Sequence, residues 1–121
     1  MYQIEADKTK NLLRFTFSQH VTAEETARWR KQLCDVLGTL RQGFTLLSDL
    51  SSLDVMDLDC APDIEWSMEA LNESGIARVV RIIPDPSKDI GFNIMSHFHY
   101  RRSVAIVTCD TMEEALKILA E

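Results

Sequence analysis

The stretch that decides the fold is FTLLSDLSSLDVMDLDCAPDIE, residues 44–65. Its first part, residues 44–47 with a possible continuation to Leu50, is almost entirely apolar, which is typical of a strand covered on both faces. A carboxylate-rich segment follows, which contains Asp49, Asp54, Asp57 and Asp59. Pro62 predicts the first turn of a helix, and Asp63 complements the positive end of its dipole. The stretch therefore predicts a strand, an acidic loop and a helix.

Length and composition indicate one globular domain over residues 1–121. The chain is 45% hydrophobic and 26% charged, so it contains enough apolar surface for a core and no segment polar enough to stay disordered. The net charge of -6 repels phosphate backbones. Nucleic acid is therefore not expected among the partners.

The cysteines and the N-terminal segment bear on the compartment. Cys34, Cys60 and Cys109 are odd in number, widely spaced and without a CxxC pair, which argues against a disulfide framework or a zinc site. The first residues, MYQIEADKTK, lack the apolar core of a signal peptide, and no run approaches the ~20 apolar residues of a membrane span. These features predict a cytoplasmic protein without a membrane span.

Periodicity and capping signals predict five strands and four helices in the order ββαβαβαβα. The predicted strands cover residues 2–6, 12–18, 44–47, 77–83 and 103–109. The predicted helices run from the N-cap Thr22 to about Leu40, from Pro62 to Gly75, onward from Ser87 and onward from Thr111. Strands that alternate with helices in this way predict an α/β fold whose mixed five-stranded sheet is flanked by the four helices.

The same periodicity predicts which side chains form the core. In the third helix, Ile90, Ile94 and Phe98 share one stripe, which is predicted to face the sheet. The predicted core contains Trp29, Leu33, Leu46, Val80, Ile94, Val104, Ile106 and Leu116.

Element order and one motif together resemble the STAS domain of anti-sigma factor antagonists, and more loosely its SpoIIAA-like relatives. In that family the strand ends in a pattern like DLS-x-L-x-x-M-D-S-S-G. The residues that match are Asp49, Leu50, Ser51, Leu53, Met56 and Asp57. The resemblance implies a non-catalytic bacterial regulatory domain that binds a protein partner, such as a regulator or a kinase.

The chain departs from the family pattern directly after the matching residues. Where the family has two serines and a glycine, this chain has Leu58, Asp59 and Cys60, so Asp59 replaces the usual phosphoacceptor serine. The resemblance then implies that the loop is not phosphorylated. It leaves open whether Asp59, with about half the charge of a phosphate, imitates a phosphorylated state.

Trp66 is the residue around which the expected partner surface is arranged. At 100° per residue it projects away from Ile64 and Met68, which predicts a solvent-exposed indole beside the acidic loop. Packing under the loop, or against a second copy in a homodimer, is the alternative. The predicted partner-binding residues are Asp57, Leu58, Asp59, Cys60, Asp63 and Trp66.

Two other functions compete with partner binding. The first is a small apolar ligand or lipid carried by a module of CRAL-TRIO-like type, in an apolar pocket lined by Phe92, Met95, Phe98 and Tyr100. The second is a phosphotransfer enzyme or receiver that uses Asp49 or the Asp57/Asp59 pair.

The receiver alternative lacks its supporting residues. Ala6 and the segment 108–110 stand where a receiver needs acidic residues and a lysine. His97 and His99 lie about 160° apart on a helix, so they do not form one metal-binding face. The sequence therefore predicts neither catalytic residues nor a metal or other cofactor.

Overall fold

A computed structural model describes all 121 residues, which form seven strands and four helices. The strands are β1 (Tyr2–Asp7), β2 (Leu12–Phe17), β3 (Gln19–Val21), β4 (Thr45–Asp49), β5 (Leu53–Met56), β6 (Arg78–Ile82) and β7 (Ala105–Cys109). The helices are α1 (Ala23–Leu37), α2 (Ala61–Glu73), α3 (Pro86–His99) and α4 (Met112–Ala120), and a 3₁₀ turn covers Leu58–Cys60. None of the helices combines the length and the apolar character needed to cross a membrane.

Five of the strands form one mixed sheet in the order β1-β2-β4-β6-β7. β1 and β2 form an antiparallel hairpin in which Ile4 lies opposite Phe15, whereas β2, β4, β6 and β7 run parallel. The prediction of an α/β domain with a mixed five-stranded sheet and four helices is confirmed.

A second sheet of two strands was not predicted. β5 lies within the acidic segment that was expected to be a loop, and it pairs in parallel with β3. The register shifts between Gln19 and His20, and Gln19 has a positive φ of 59°. Both strands are too short for a residue pattern to show, and the pairing that stabilises them is non-local.

Helix ends follow their capping signals with two corrections. The predicted capping box opens α1, since the Glu25 N–H donates to Thr22 Oγ1 at 3.4 Å and the Thr22 N–H donates to Glu25 Oε1 at 3.3 Å. This helix ends at Leu37 rather than near residue 40. The N-cap of α3 is Asp85 rather than Ser87, because Asp85 Oδ1 accepts a hydrogen bond from the Ser87 N–H at 3.0 Å.

The main core lies on the face of the sheet that α1, α2 and α3 cover, and α4 packs on the other face. Trp29 lies at its centre, with its ring centroid 5.0 Å from Phe15 and 5.2 Å from Phe17. Five of the predicted core residues are buried, namely Trp29, Leu33, Leu46, Val80 and Val104.

The prediction is wrong for the other three core residues, Ile94, Ile106 and Leu116, which are all exposed. Ile106 lies on β7, an edge strand of the sheet, and α4 turns Ala115 rather than Leu116 toward the core. Ile106 is therefore exposed because its strand lies at the edge of the sheet. Leu116 is exposed because it lies on the outer side of α4, which no other helix covers.

The prediction that the apolar stripe of helix α3 faces the sheet is wrong, because the helix turns its opposite face toward the sheet. Ile90, Ile94 and Phe98 point outward, and Phe98 is 75% exposed. Asp89 and Ser96 are buried instead. The helix has thus turned a polar stripe toward the sheet.

The cause is Arg81 on β6, whose side chain enters the main core and leaves the residue only 2% exposed. Its Nη1 donates to Asp89 Oδ1 and Asn93 Oδ1, both at 3.0 Å, and its Nη2 donates to Ser96 Oγ at 2.9 Å. The other Asp89 oxygen accepts a hydrogen bond from Thr108 Oγ1 on β7 at 3.0 Å. A buried guanidinium is costly unless it is paired and hydrogen-bonded, so these contacts set the rotation of α3.

Removing one member of the Arg81–Asp89 pair should strongly destabilise the fold. We expect Arg81→Leu to lower the free energy of unfolding by about 3–5 kcal/mol, because Asp89 keeps a buried charge without its partner. The double variant Arg81→Leu/Asp89→Leu should recover part of that loss. Urea unfolding of wild type, Arg81→Leu, Asp89→Leu and the double variant measures the coupling between the two residues. A loss below about 1 kcal/mol in Arg81→Leu would contradict the expected role of the pair.

A matched pair of leucine truncations tests the placement of the core. Leu33→Ala should lower the free energy of unfolding by about 2–5 kcal/mol, because Leu33 is fully buried. Leu116→Ala removes the same atoms from a residue that is 56% exposed, and should cost less than about 1 kcal/mol. Equal losses in the two variants would show that the core is misplaced.

Candidate functional site

Residues 55–59, which include the predicted partner-binding residues Asp57, Leu58 and Asp59, form a ridge in front of helix α2. Val55 on β5 and Asp59 in the 3₁₀ turn are exposed, and Leu58 at the start of that turn is 92% exposed. Leu58 does not stand alone, because the exposed Val55 and the partly buried Met56 lie beside it and line the same groove. Contiguous exposed apolar side chains of this kind often mark an interaction site. Leu58 is therefore the most prominent apolar group of the site.

The ridge is fixed from behind by β3. Asp57 Oδ1 lies 2.7 Å from His20 Nε2, and the Asp57 N–H donates to the Val21 carbonyl at 3.0 Å. The Asp57 carbonyl in turn accepts from the Cys60 N–H at 2.9 Å, which closes the turn that presents Leu58. His20 is a site residue that the sequence analysis missed, because its contact with Asp57 exists only through the pairing of β3 with β5.

Cys60 and Asp63 lie behind the ridge rather than on its surface. Cys60 is fully buried, with Sγ 3.6 Å from the Val21 carbonyl oxygen, and this burial raises the pKa of its thiol. Asp63 Oδ2 accepts a hydrogen bond from Thr26 Oγ1 at 2.8 Å, and Oδ1 lies 3.4 Å from Arg30 Nη1. Cys60 therefore connects the turn to β3, and Asp63 holds α2 against α1.

The expectation that Trp66 is substantially exposed is wrong. Its side chain is partly buried and packs against the main core, and the Arg30 guanidinium carbon lies 4.1 Å from the ring centroid. Trp66 thus occupies the contact between α1 and α2, as the alternative of packing near the loop allowed. Leu58, rather than Trp66, is the large exposed apolar side chain beside the acidic segment.

A groove of about 380 Å³ separates the ridge from α3. Val55, Met56 and Leu58 line one wall, and Phe92 and Met95 line the other. The wall from α3 is joined to β5 by Lys88, whose Nζ donates to the Leu53 carbonyl at 2.6 Å. Neither Val55 nor Lys88 was predicted as a site residue, because strand β5 and its contact with α3 are set by non-local pairing.

The predicted ligand pocket is only half assembled. Phe92 and Met95 line the groove, but Phe98 lies on the outer side of α3 and Tyr100 is buried in the main core. Burial raises the pKa of the Tyr100 hydroxyl. The four residues therefore do not form one apolar pocket, because α3 is rotated by its contacts with Arg81.

Charge around the groove is mainly negative. Asp54 and Asp57 belong to its lining, and the exposed Asp59 stands on the ridge beside it. Lys88 is the only basic residue in the lining, and its ammonium group donates a hydrogen bond to the Leu53 carbonyl. The site thus combines an apolar floor with an acidic rim.

Residues named in the catalytic alternative serve structural contacts. Asp49 Oδ1 accepts hydrogen bonds from the Ser51 N–H at 3.1 Å and from Ser51 Oγ at 2.6 Å, which shapes the turn after β4. His99 is paired with Glu69 of α2, whereas His97 is exposed. No three histidine, cysteine or acidic side chains lie close enough together to hold a metal ion.

Comparison with known proteins gives a match in structure alone. No protein-family model and no curated protein matches the sequence. The anti-sigma factor antagonist SpoIIAA in its unphosphorylated form superposes with a TM-score of 0.70 at 17% identity, over 99% of this chain and 98% of that one. The chain has a SpoIIAA-like fold.

Two further structures show the same fold. A DUF3478-family protein from Shewanella loihica PV-4, described as having a SpoIIAA-like fold, gives a TM-score of 0.71 at 17% identity and covers 98% of this chain and 93% of its own. An anti-sigma factor antagonist from Mycobacterium paratuberculosis gives a TM-score of 0.61 at 14% identity, over 100% of this chain and 96% of its own. The STAS/SpoIIAA-like fold expected from the sequence is confirmed, and the ridge is the part of it that follows the segment DLSSLD.

Proposed function

We propose that this protein is a non-catalytic regulatory domain that works by binding a protein partner through the ridge and the adjoining groove. The observation that carries the proposal is Leu58, which is 92% exposed at the tip of a turn held in place from behind. SpoIIAA and the Mycobacterium paratuberculosis protein are named as anti-sigma factor antagonists, which supports a regulatory partner such as an anti-sigma factor or a kinase.

Preorganisation of the ridge favours tight binding. Asp57 is tied to β3 by its N–H and its carboxylate, Cys60 is buried beneath the turn, and Lys88 connects α3 to β5. A surface that is already ordered loses little conformational entropy when a partner docks. The contacts of Leu58 can then contribute most of their burial energy to affinity.

Charge and shape specify the partner's chemistry. The groove offers an apolar floor for an inserted side chain, and Asp54, Asp57 and Asp59 surround it with negative charge. The complementary surface is an apolar anchor flanked by lysine or arginine residues, which would also accelerate association at low salt. The exposed free thiol of Cys34 is compatible with a reduced cytoplasmic setting for this interaction.

Truncation of Leu58 separates partner binding from stability. Leu58→Ala should weaken partner binding by about 2 kcal/mol or more, because it removes the central apolar anchor. The same change should alter the free energy of unfolding by less than about 0.5 kcal/mol, because the side chain makes little contact within the fold.

Three matched baits carry out this test. Wild type, Leu58→Ala and the control Leu116→Ala, which truncates an exposed leucine on α4, are used to capture proteins from the native host, and calorimetry then measures the affinity of the purified partner. We expect wild type and Leu116→Ala to retain the same protein and Leu58→Ala to lose it. Equal affinities for all three baits would contradict the proposal.

Phosphorylation should not regulate the ridge, as the sequence predicts. The family resemblance puts the exposed Asp59 in the place of the phosphoacceptor serine. Ser48 is buried and Ser51 Oγ donates to Asp49, whereas the exposed Ser52 lies on the earlier part of the motif. We expect mass spectrometry of protein purified from its native host to find no stoichiometric phosphate on residues 48–63. Stoichiometric phosphate on any residue in that range would overturn this part of the proposal.

A small apolar ligand is the second candidate, and the groove is the observation that favours it. Its volume of about 380 Å³ and its lining by Phe92 and Met95 suit a small apolar ligand or lipid. The chain would then be a ligand-binding module of CRAL-TRIO-like type. Native mass spectrometry distinguishes the two: a retained ligand would add mass to the wild-type protein, and the variant Phe92→Trp should reduce that addition by filling the groove.

A further inference from the structure

Edge strand β7 lacks the devices that normally keep sheet edges from pairing. Its sequence, AIVTC, contains no charged residue and no proline, and most of its side chains are exposed. The opposite edge, β1, carries exposed charges at Glu5 and Asp7. Proteins commonly use charge, proline or bulges to prevent edge-to-edge association, so β1 is protected and β7 is not.

Backbone groups of β7 are available for a further strand. The Ala105 N–H donates to the Ala77 carbonyl at 3.1 Å, and the Cys109 carbonyl accepts from the Ile83 N–H at 3.0 Å, so these residues face β6. In a parallel pair the alternate residues direct both their N–H and their C=O to the other side. Ile106 and Thr108 therefore present hydrogen-bonding groups outward from the edge.

Apolar side chains lie on the same side of the molecule. Ile106 is 36% exposed on the sheet face that α3 covers. The opposite side of α3 is occupied by His99, which is paired with α2, and by Met95, which lines the groove. At 100° per residue, Ile90 is therefore turned toward β7, with Ile94 beside it.

Opposite charges flank the two ends of β7. Arg101 and Arg102 precede the strand, and Asp110 and Glu114 follow it; all four are exposed. None of these four residues forms an ion pair within the chain. An antiparallel strand with the same sequence would bring the basic end of one chain beside the acidic end of the other.

We propose that a second copy of this chain pairs with β7 in antiparallel orientation, with the two-fold axis at Val107. Ile106 then lies opposite Thr108 of the second copy, and their outward backbone groups form hydrogen bonds that join the two sheets. Ile90 and Ile94 of the two α3 helices approach each other across the axis. Arg101 and Arg102 of each copy face Asp110 and Glu114 of the other.

Self-complementarity is the reason for choosing a second copy over another strand-forming partner. A two-fold interface requires one surface to match itself, and here the apolar centre is flanked by charges of opposite sign at its two ends. The ridge lies beyond the other side of α3, so this association leaves the surface assigned to the regulatory partner free.

Sedimentation equilibrium tests the association. Wild-type protein should show a concentration-dependent mass that approaches twice the 13.8 kDa of one chain. Ile106→Lys places a charge at the centre of the edge and should raise the dimer dissociation constant at least about tenfold. Leu58→Lys, which adds the same charge on the ridge, should leave the dimer unchanged while abolishing partner binding.

A charge exchange on exposed side chains at the two ends of β7 provides an independent test, with thermal unfolding of each variant as the control for folding. The variants Arg101→Glu/Arg102→Glu and Asp110→Lys/Glu114→Lys should each self-associate more weakly than wild type, because like charges then meet at both ends. An equimolar mixture of the two should form a heterodimer, because every contact again joins opposite charges. A wild-type mass of one chain at all concentrations, an undiminished dimer in Ile106→Lys, or a mixture that stays monomeric would overturn the proposal.

Discussion

The buried ion pair between Arg81 and Asp89 determines how helix α3 lies on the sheet. The guanidinium of Arg81 enters the main core from β6 and donates three hydrogen bonds, to Asp89, Asn93 and Ser96 of that helix. Since leaving a buried charge unpaired costs more than exposing apolar side chains, the polar stripe faces inward. The apolar stripe of Ile90, Ile94 and Phe98 is consequently left in solvent.

This rotation of α3 creates the two surfaces on which the functional proposals stand. On one side of the helix, Phe92 and Met95 form a wall of the groove beside the ridge. On the other side, Ile90 and Ile94 lie toward the unprotected edge of β7. One buried interaction thus connects the proposed partner-binding site with the proposed self-association surface, and the proposed dimer would present two ridges to a bivalent partner.

The ridge shows how a SpoIIAA-like fold carries a different local chemistry. The two-stranded sheet of β3 and β5 supports the turn, His20 contacts Asp57, and the buried Cys60 fixes the start of α2. Asp59 gives this turn a permanent charge in the place where the family resemblance expects a serine. Under the proposed function, the partner would recognise the shape and the carboxylates of the ridge instead of a phosphate group.

The sequence by itself determined the local structure and the place of the site. The capping box of Thr22 and Glu25, Pro62 in the first turn of α2 and the alternation in β2 are local signals. The order of the five main-sheet strands and the four helices followed from such signals, whereas β3 and β5 did not. The segment matching the family pattern also located the ridge. Tertiary structure alone decided which face of α3 is buried, that Trp66 packs beneath Arg30, and that residues 53–56 form a strand. Helical periodicity ranks side chains by hydrophobicity within one element, whereas the partners that a buried arginine, an indole or a short strand requires come from other elements.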